Sequence, residues 1–461
     1  MSANCTRIVI IGGGFAGTNV ARQLERRFRR DSRVSITLID GENFFTFTPL
    51  LPEVPSGSIQ PKHIVFPLRA LLRRTHVRQA HVKSIDLEKQ RIVAAHCDRC
   101  GNDVIEYDHL VLALGSVPNF FGTPGVQEHA LTIKTLADAC ALHAHVIDKL
   151  EHADLQSDPV KRRELLTFVV AGGGFAGVET LAELNDFVRE AGRFYPNIRE
   201  EDLRLVLIHS GQRILPEVSE ALSAYALEKL TSRGIEVRLQ TRVKGCSGNA
   251  VQLSDGESIP CHTFVWAAGT APSPVLDLVD VPRTKNGRIA VDASLAVQDR
   301  PHVWAVGDSA AIPDVVTGGV CPPTAQYALR QGKRLADNIA ASLDGGPMQE
   351  FRFKALGLLA GLGRRSAVAE ICGLKFSGFV AWWLWRTIYL LKLPGFERRL
   401  RVAIDWTFDL FFPRDIVFLR PLHTPKGEGV VPAAPDAASC QLADVTPSSL
   451  PNPAVGVGHT H

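Results

Sequence analysis

One hexapeptide occurs twice in this chain. Gly12-Gly13-Gly14-Phe15-Ala16-Gly17 returns letter for letter as Gly172-Gly173-Gly174-Phe175-Ala176-Gly177, 160 residues later (172 − 12). Solenoid repeats have periods of roughly 20–50 residues, so this echo marks two related units instead. Each copy follows a short apolar run, Ile8 to Ile11 in the first case and Phe168 to Ala171 in the second. Such runs suit strands buried on both faces of a parallel sheet. Each copy precedes a helix-like pattern, Thr18 to Arg30 and Val178 to Arg189. Strand, glycine turn and helix together open a βαβ unit.

The glycine spacing has a mechanical reading. Gly12 and Gly172 permit a tight turn. Gly14 and Gly174 let the backbone approach a pyrophosphate, and Gly17 and Gly177 allow close helix–strand packing. The helix N-terminus then offers free N–H groups and a positive dipole end to the phosphates. An acid that binds the adenosine ribose is expected at the end of the second strand. In unit one it is Asp40, 23 residues after Gly17 (40 − 17). In unit two that place holds His209-Ser210, with Arg213 nearby. Unit one thus fits FAD or NAD with a free 2′-hydroxyl, and unit two admits NADPH as readily as NADH.

Further strands are expected at Val34–Ile39 and Leu203–Ile208. Apolar runs also end on Gly115, on Gly269 and on Gly307-Asp308. Alternating strands and helices give an α/β class with two Rossmann-like dinucleotide-binding domains. With 51 Lys+Arg against 48 Asp+Glu the net charge is only +3, which argues against a nucleic-acid partner. Nine cysteines without regular spacing exclude a secreted disulfide framework. The close pair Cys97 and Cys100 lacks a second pair, and no metal site is expected. No charge-free stretch of 18 or more residues reads as a membrane span, and no signal-peptide core precedes the first strand.

Residues 350–420 change character, holding four of the six tryptophans, Trp382, Trp383, Trp385 and Trp406. Phe379–Leu393 and Phe396–Phe412 read as two helices around Pro394-Gly395. On the second, Arg398, Arg401, Asp405 and Asp409 form a polar stripe, and Leu400, Ala403, Ile404, Thr407, Phe408 and Phe411 lie on another side. An aromatic, apolar helix face flanked by Lys and Arg suits a membrane surface or a homodimer interface. The segment 421–461, rich in proline, reads as a disordered tail.

Taken together these residues resemble a known family. The two glycine loops and the Ala-Leu-Gly, Ala-Ala-Gly and Val-Gly-Asp strand ends are similar to the two-dinucleotide-domain flavoprotein reductases. Phe47-Thr48-Pro49-Leu50-Leu51, Ser116 to Gly122, Gly174 to Glu179 and Thr324-Ala325-Gln326 resemble the type II NADH dehydrogenases, non-pumping NADH:quinone oxidoreductases. The resemblance covers about residues 5–420. It implies FAD as cofactor, with Thr48, Pro49, Leu50 and Leu51 beside the isoalloxazine and Asp308 on the ribityl chain or phosphates. It implies Glu179 at the nicotinamide–flavin junction, and Ala325 and Gln326 on the quinone side. Glu179 and Gln326 are therefore the expected catalytic residues. The family's Ala-Gln-x-Ala-x-Gln motif is met only in part, because Arg330 stands at its second glutamine.

The implied organisation is an FAD domain at 1–125 and 286–345 and an NAD(P)H domain at 126–285. A membrane or dimer region follows at 346–420, with helices at about 376–412, and then the tail. The expected place is the cytoplasmic side of the cell membrane, held peripherally. Three alternatives stay open: a soluble diaphorase or carrier reductase, a sulfide:quinone reductase using Cys321, and a flavin-bound sensor with little turnover.

Overall fold

A computed structural model describes residues 5–96 and 101–417, which lie within one compact unit. Cys97, Cys100 and the tail expected at 421–461 lie outside the described residues.

The first glycine loop joins β1 (Thr6–Ile11) to α1 (Phe15–Arg27), which returns to β2 (Val34–Asp40). Ile8, Val9 and Ile10 are fully buried, as a run flanked on both faces requires. The sheet runs 303–305, 109–112, β1, β2, 76–86, 91–96, 102–106. Its first five strands are parallel, and the last two close it as antiparallel hairpins.

The second loop repeats the plan with β3 (Thr167–Ala171), α2 (Phe175–Ala191) and β4 (Arg204–Ile208). Its sheet runs 131–132, 263–266, β3, β4, 235–238, all parallel. The two units meet through short strands that follow matching glycines. Ser116–Pro118, after Gly115, pairs antiparallel with Thr270–Pro272, after Gly269. Trp266 Nε1 donates to the Asn119 carbonyl at 2.8 Å across this seam.

α3 (Ala325–Leu343) packs along α1. A Cβ at Gly332 would lie 2.8 Å from the Ala16 carbonyl oxygen, so glycine sets that close approach. A three-stranded antiparallel sheet at 357–361, 367–371 and 374–377 follows. It leads into α4 (Gly378–Lys392) and α5 (Phe396–Phe411), split at Pro394-Gly395. Among the described residues no helix is long and apolar enough to cross a membrane.

Of the polar stripe of α5, Asp405 and Asp409 face inward beside buried Val402 and Trp406, while Arg401 is exposed and pairs with Glu397. Asp405 Oδ2 accepts from the Gln60 N–H at 3.2 Å and lies 2.6 Å from His63 Nδ1. Asp409, buried, accepts from Arg414 Nε at 2.8 Å. The apolar side is therefore turned outward, leaving Leu400, Ile404, Phe408 and Phe411 exposed. α5 thus sends Val402 and Trp406 into the core with its aspartates and keeps a second apolar face, its phenylalanines, on the outside.

Candidate active site

The two glycine loops match atom for atom. Gly12 has φ +107°, and a Cβ there would sit 2.2 Å from the Ala113 carbonyl oxygen. Gly172 has φ +120°, and its Cβ would sit 2.4 Å from the Ala267 carbonyl oxygen. A Cβ at Gly17 or Gly177 would sit 1.9 Å from the carbonyl oxygen of Gly12 or Gly172, so each helix can start this close to its loop only on glycine. Any side chain at these four positions would break the loop. Gly14 and Gly174 are the opposite case, since a Cβ at either meets nothing within 4 Å. They begin α1 and α2 without a side-chain cap, and neither helix has an acid in its first turn. Both helix starts are thus open, uncapped and positive, which fits a dinucleotide pyrophosphate in each.

Around the first loop, Asp40 accepts from the Gly13 N–H and from the Glu42 N–H at 2.7 Å. Burial raises its pKa, and these bonds offset part of that rise. Gly307, at φ +79°, brings the last parallel strand against Ala16. The Gly307 N–H is held by Gln331 Oε1 at 3.1 Å. Asp308 Oδ2 accepts from Ser116 Oγ at 2.9 Å, and Lys134 Nζ donates to the same Ser116 hydroxyl at 2.8 Å. Asp308 is thus tied to Ser116, the residue after Gly115, and neighbours Gly307, which lies against the first turn of α1. Of the segment expected beside a flavin, Thr48 is exposed and Pro49 half-buried. Leu50 has no exposed surface, so its side chain serves the core and only its backbone can face a ligand.

Around the second loop, Phe175 and Ala176 open α2, and His209 directly follows β4. A Cβ at Gly269 would fall 2.7 Å from the Phe121 ring, which therefore lies over this strand end.

Glu179 does not point along the nucleotide cradle. Its Oε1 accepts from the Gly361 N–H at 2.8 Å and from Trp385 Nε1 at 3.3 Å, both in the C-terminal segment. Burial pushes its pKa up to about 8, despite those two bonds. With Pro49, Pro52, Glu53, Glu183, Trp382 and Trp385 it lines a small cavity between the first unit, α2 and α4. Glu53, buried, accepts from Trp406 Nε1 at 2.6 Å, and burial followed by repulsion from Glu183 pushes its pKa up to about 8. Glu183 Oε2 accepts from Ser56 and Ser58 at 3.0 and 3.2 Å and lies 3.2 Å from Arg414 Nη2. Sequence reasoning stopped at Glu179. The i, i+4 spacing of Glu179 and Glu183 is a signal that both share one helix face. Glu53 and Trp406 arrive from distant segments, and no local pattern joins them.

Ala325 and Gln326 begin α3, and Gln326 Nε2 donates to the Gly357 carbonyl at 3.2 Å. Arg330 donates to the Gln326 carbonyl at 3.0 Å and stacks over Phe353 at 4.2 Å. Burial, and then Arg330, lower the pKa of Lys392. A separate cavity of about 300 Å³ is lined by Phe15, Phe47, Leu329, Lys392 and Pro394 and reaches the α4–α5 turn. Cys321 is buried and its thiol pushed up to about 11 by burial. That is away from the thiolate a sulfur chemistry needs.

Comparison with known proteins agrees with this arrangement. The family model described as pyridine nucleotide-disulphide oxidoreductase matches residues 6–332. The model described as NDH2 C-terminal domain matches residues 356–415. The chain is 32% identical over 419 residues to a probable NADH dehydrogenase of Dictyostelium discoideum, covering 89% of this chain and 90% of the relative. It is also 32% identical over 417 residues to the type II NADH:quinone oxidoreductase Ndh of Mycobacterium tuberculosis, covering 87% of each. In fold it is similar to the structure of NDH2 from Plasmodium falciparum in complex with NADH. That match has a TM-score of 0.84 and 21% identity, and covers 90% of this chain and all (100%) of the other. Two glycine cradles on paired sheets, followed by this C-terminal segment, place the chain in the type II NADH dehydrogenase family of pyridine nucleotide-disulphide oxidoreductases.

Proposed function

We propose that this protein is an FAD-dependent NAD(P)H:quinone oxidoreductase that pumps no protons. The observation that carries the reading is the duplicated, uncapped glycine cradle. A protein that only bound one flavin would have no use for two. FAD belongs to the first unit, residues about 1–125 and 286–345, and the nicotinamide dinucleotide to the second, about 126–285.

FAD, when bound, accepts a hydride from the nicotinamide and passes two electrons to the acceptor. The chain supplies position and protons. The α1 N-terminus, with Gly12, Gly14, Phe15, Ala16 and Gly17, holds the flavin pyrophosphate; Asp40 takes the adenosine ribose; Asp308 takes the ribityl or phosphate end. The α2 N-terminus does the same for the nicotinamide dinucleotide with Gly172, Gly174, Phe175, Ala176 and Gly177. A quinone consumes two protons on reduction. Glu179 accepts both its hydrogen bonds at Oε1, which leaves Oε2 to carry the proton it keeps near neutrality. Gln326, tied to Gly357, orients the acceptor side.

The exposed apolar side of α4 and α5 docks this enzyme on a lipid surface. Phe379, Trp383, Phe396, Leu400, Phe408 and Phe411 are all exposed, Phe396 at 79% and Phe411 at 76%. Burying them recovers about 25 cal/mol per Å² of apolar surface. The 300 Å³ cavity reaches the same turn, which gives an apolar acceptor a route from the membrane. The bound side is the cytoplasmic one, and a homodimer formed through the same face is the competing use of it. Flotation with liposomes separates the two uses.

Anaerobic stopped-flow tests the reading. Mixing with NADH should bleach the flavin, and a soluble quinone should then reoxidise it. Bleaching without reoxidation by quinone would leave a diaphorase or carrier reductase, and no bleaching would leave a sensor.

A further inference from the structure

The acid at the end of a second Rossmann strand does two things. It braces the glycine loop from below, and it selects the coenzyme by binding the ribose 2′-hydroxyl while repelling a 2′-phosphate. Unit one shows both in Asp40, which accepts from the Gly13 N–H. Unit two keeps the brace and drops the charge. The Gly173 N–H donates to His209 Nδ1 at 3.1 Å, the same bond from the same loop position. A Cβ at Gly173 would fall 2.6 Å from the imidazole, and one at Gly211 would fall 2.7 Å from its Nε2, so the ring is clamped between two glycines. Because Nδ1 is the acceptor, the ring proton belongs on Nε2 and the ring is neutral in place. Burial also lowers its pKa.

No acid directly follows the strand end, since Ser210, Gly211 and Gln212 are neutral. Glu217, exposed and further along the loop, is the acid whose charge reaches His209. Arg213 is the charged group of this loop closest to the strand end. Its Nη2 donates to the Pro216 carbonyl at 2.9 Å. Its Nη1 is enclosed by protein with no acceptor among the described residues, so a swing of the side chain toward the strand end would release it from a costly dry site and let the guanidinium meet a phosphate.

We infer that the second site takes the 2′-phosphorylated coenzyme, NADPH, as well as NADH, with His209 bracing the loop without charge and Arg213 receiving the 2′-phosphate. This rests on the reductase reading above and assigns the substrate class of its electron-donor site.

The test uses the FAD-loaded enzyme in two assays. One is anaerobic flavin reduction by NADPH and by NADH, reported as the ratio of their kcat/KM values. The other is calorimetric binding of 2′-phospho-ADP-ribose against ADP-ribose, which needs no turnover. The wild-type ratio should lie within about tenfold of unity. His209→Glu restores a carboxylate that can still accept from the Gly173 N–H, so the loop keeps its brace. It should lower the NADPH:NADH ratio by about tenfold or more, as a carboxylate facing a phosphate would. Arg213→Gln should lower the same ratio and weaken 2′-phospho-ADP-ribose more than ADP-ribose. A wild-type ratio more than about tenfold below unity, or an unmoved ratio in His209→Glu, overturns the inference. If neither coenzyme bleaches the flavin, the reductase reading fails, and the calorimetry still decides the 2′-phosphate site by itself.

Discussion

Replacing Glu179 by glutamine isolates what its burial does. Glutamine keeps an oxygen for the Gly361 N–H and the Trp385 indole, and it carries no proton to lose. In the wild type the carboxyl rises from its usual 4.5 to about 8, chiefly through burial. At about 1.4 kcal/mol per pH unit this corresponds to about 5 kcal/mol against the ionised form. The sign follows from proton counts. Below pH 4.5 the folded and unfolded chains both hold the proton, and Glu179 adds no penalty. As pH rises toward 8 the unfolded chain loses its proton while the folded chain keeps it, so stability falls. Above 8 the full penalty is present. Glu179→Gln should therefore match the wild type near pH 5 and exceed it near pH 9. Unfolding entropy of about 2 cal/mol/K per residue makes each kcal/mol worth about 1 °C in a chain of this size. The gap in unfolding temperature between variant and wild type should thus widen by about 2–5 °C over that range. Scanning calorimetry of the FAD-loaded protein at several pH values measures it. In stopped-flow, quinone-driven reoxidation by the wild type should slow above about pH 8 as Glu179 loses its proton, and the variant should lack that limb. A gap that stays constant with pH would refute the buried-acid argument, and an unchanged reoxidation profile would remove Glu179 from proton delivery.

Gly12→Ala places a Cβ 2.2 Å from the Ala113 carbonyl oxygen, so the purified protein should hold much less than one FAD per chain by its absorbance spectrum. Trp406→Phe leaves buried Glu53 Oε2 without its 2.6 Å donor and should cost about 1–3 kcal/mol, read as a lower unfolding temperature. The double change Phe408→Asp and Phe411→Asp alters only exposed positions. It should abolish liposome flotation while NADH still bleaches the flavin at the wild-type rate. Retained flotation would move the lipid contact to α4.

The legible parts of the site are those built from neighbours in sequence. The turn that makes Gly12 and Gly17 obligatory is closed by their own loop and by Ala113 at the end of the adjoining strand. The pattern of strand, glycines and helix therefore announces it, and the duplicate at Gly172 announces the second nucleotide. Asp40 and His209 were located by counting to the next strand end. A segment pattern does not tell which way each side chain turns, and at Leu50 the side chain lies in the core. Glu179 was found, but its partners Gly361 and Trp385 lie 182 and 206 residues away and give no local sign.

The amino-acid sequence alone determined the two βαβ cradles, their phosphate-binding helix starts, and the loss of the acid at the end of the second unit. Backbone sterics at glycine and the periodicity of apolar residues act over a few positions and need no distant partner. The tertiary structure decided what those cradles surround. It brought Glu53, Glu179 and Glu183 from two segments to one buried cavity, where burial raises the pKa values of Glu53 and Glu179 while Arg414 pairs with Glu183. It also decided which apolar face of α5 is covered. Val402 and Trp406 pack inward beside Asp405 and Asp409, which His63 and Arg414 hold, and the phenylalanines on the other side face outward.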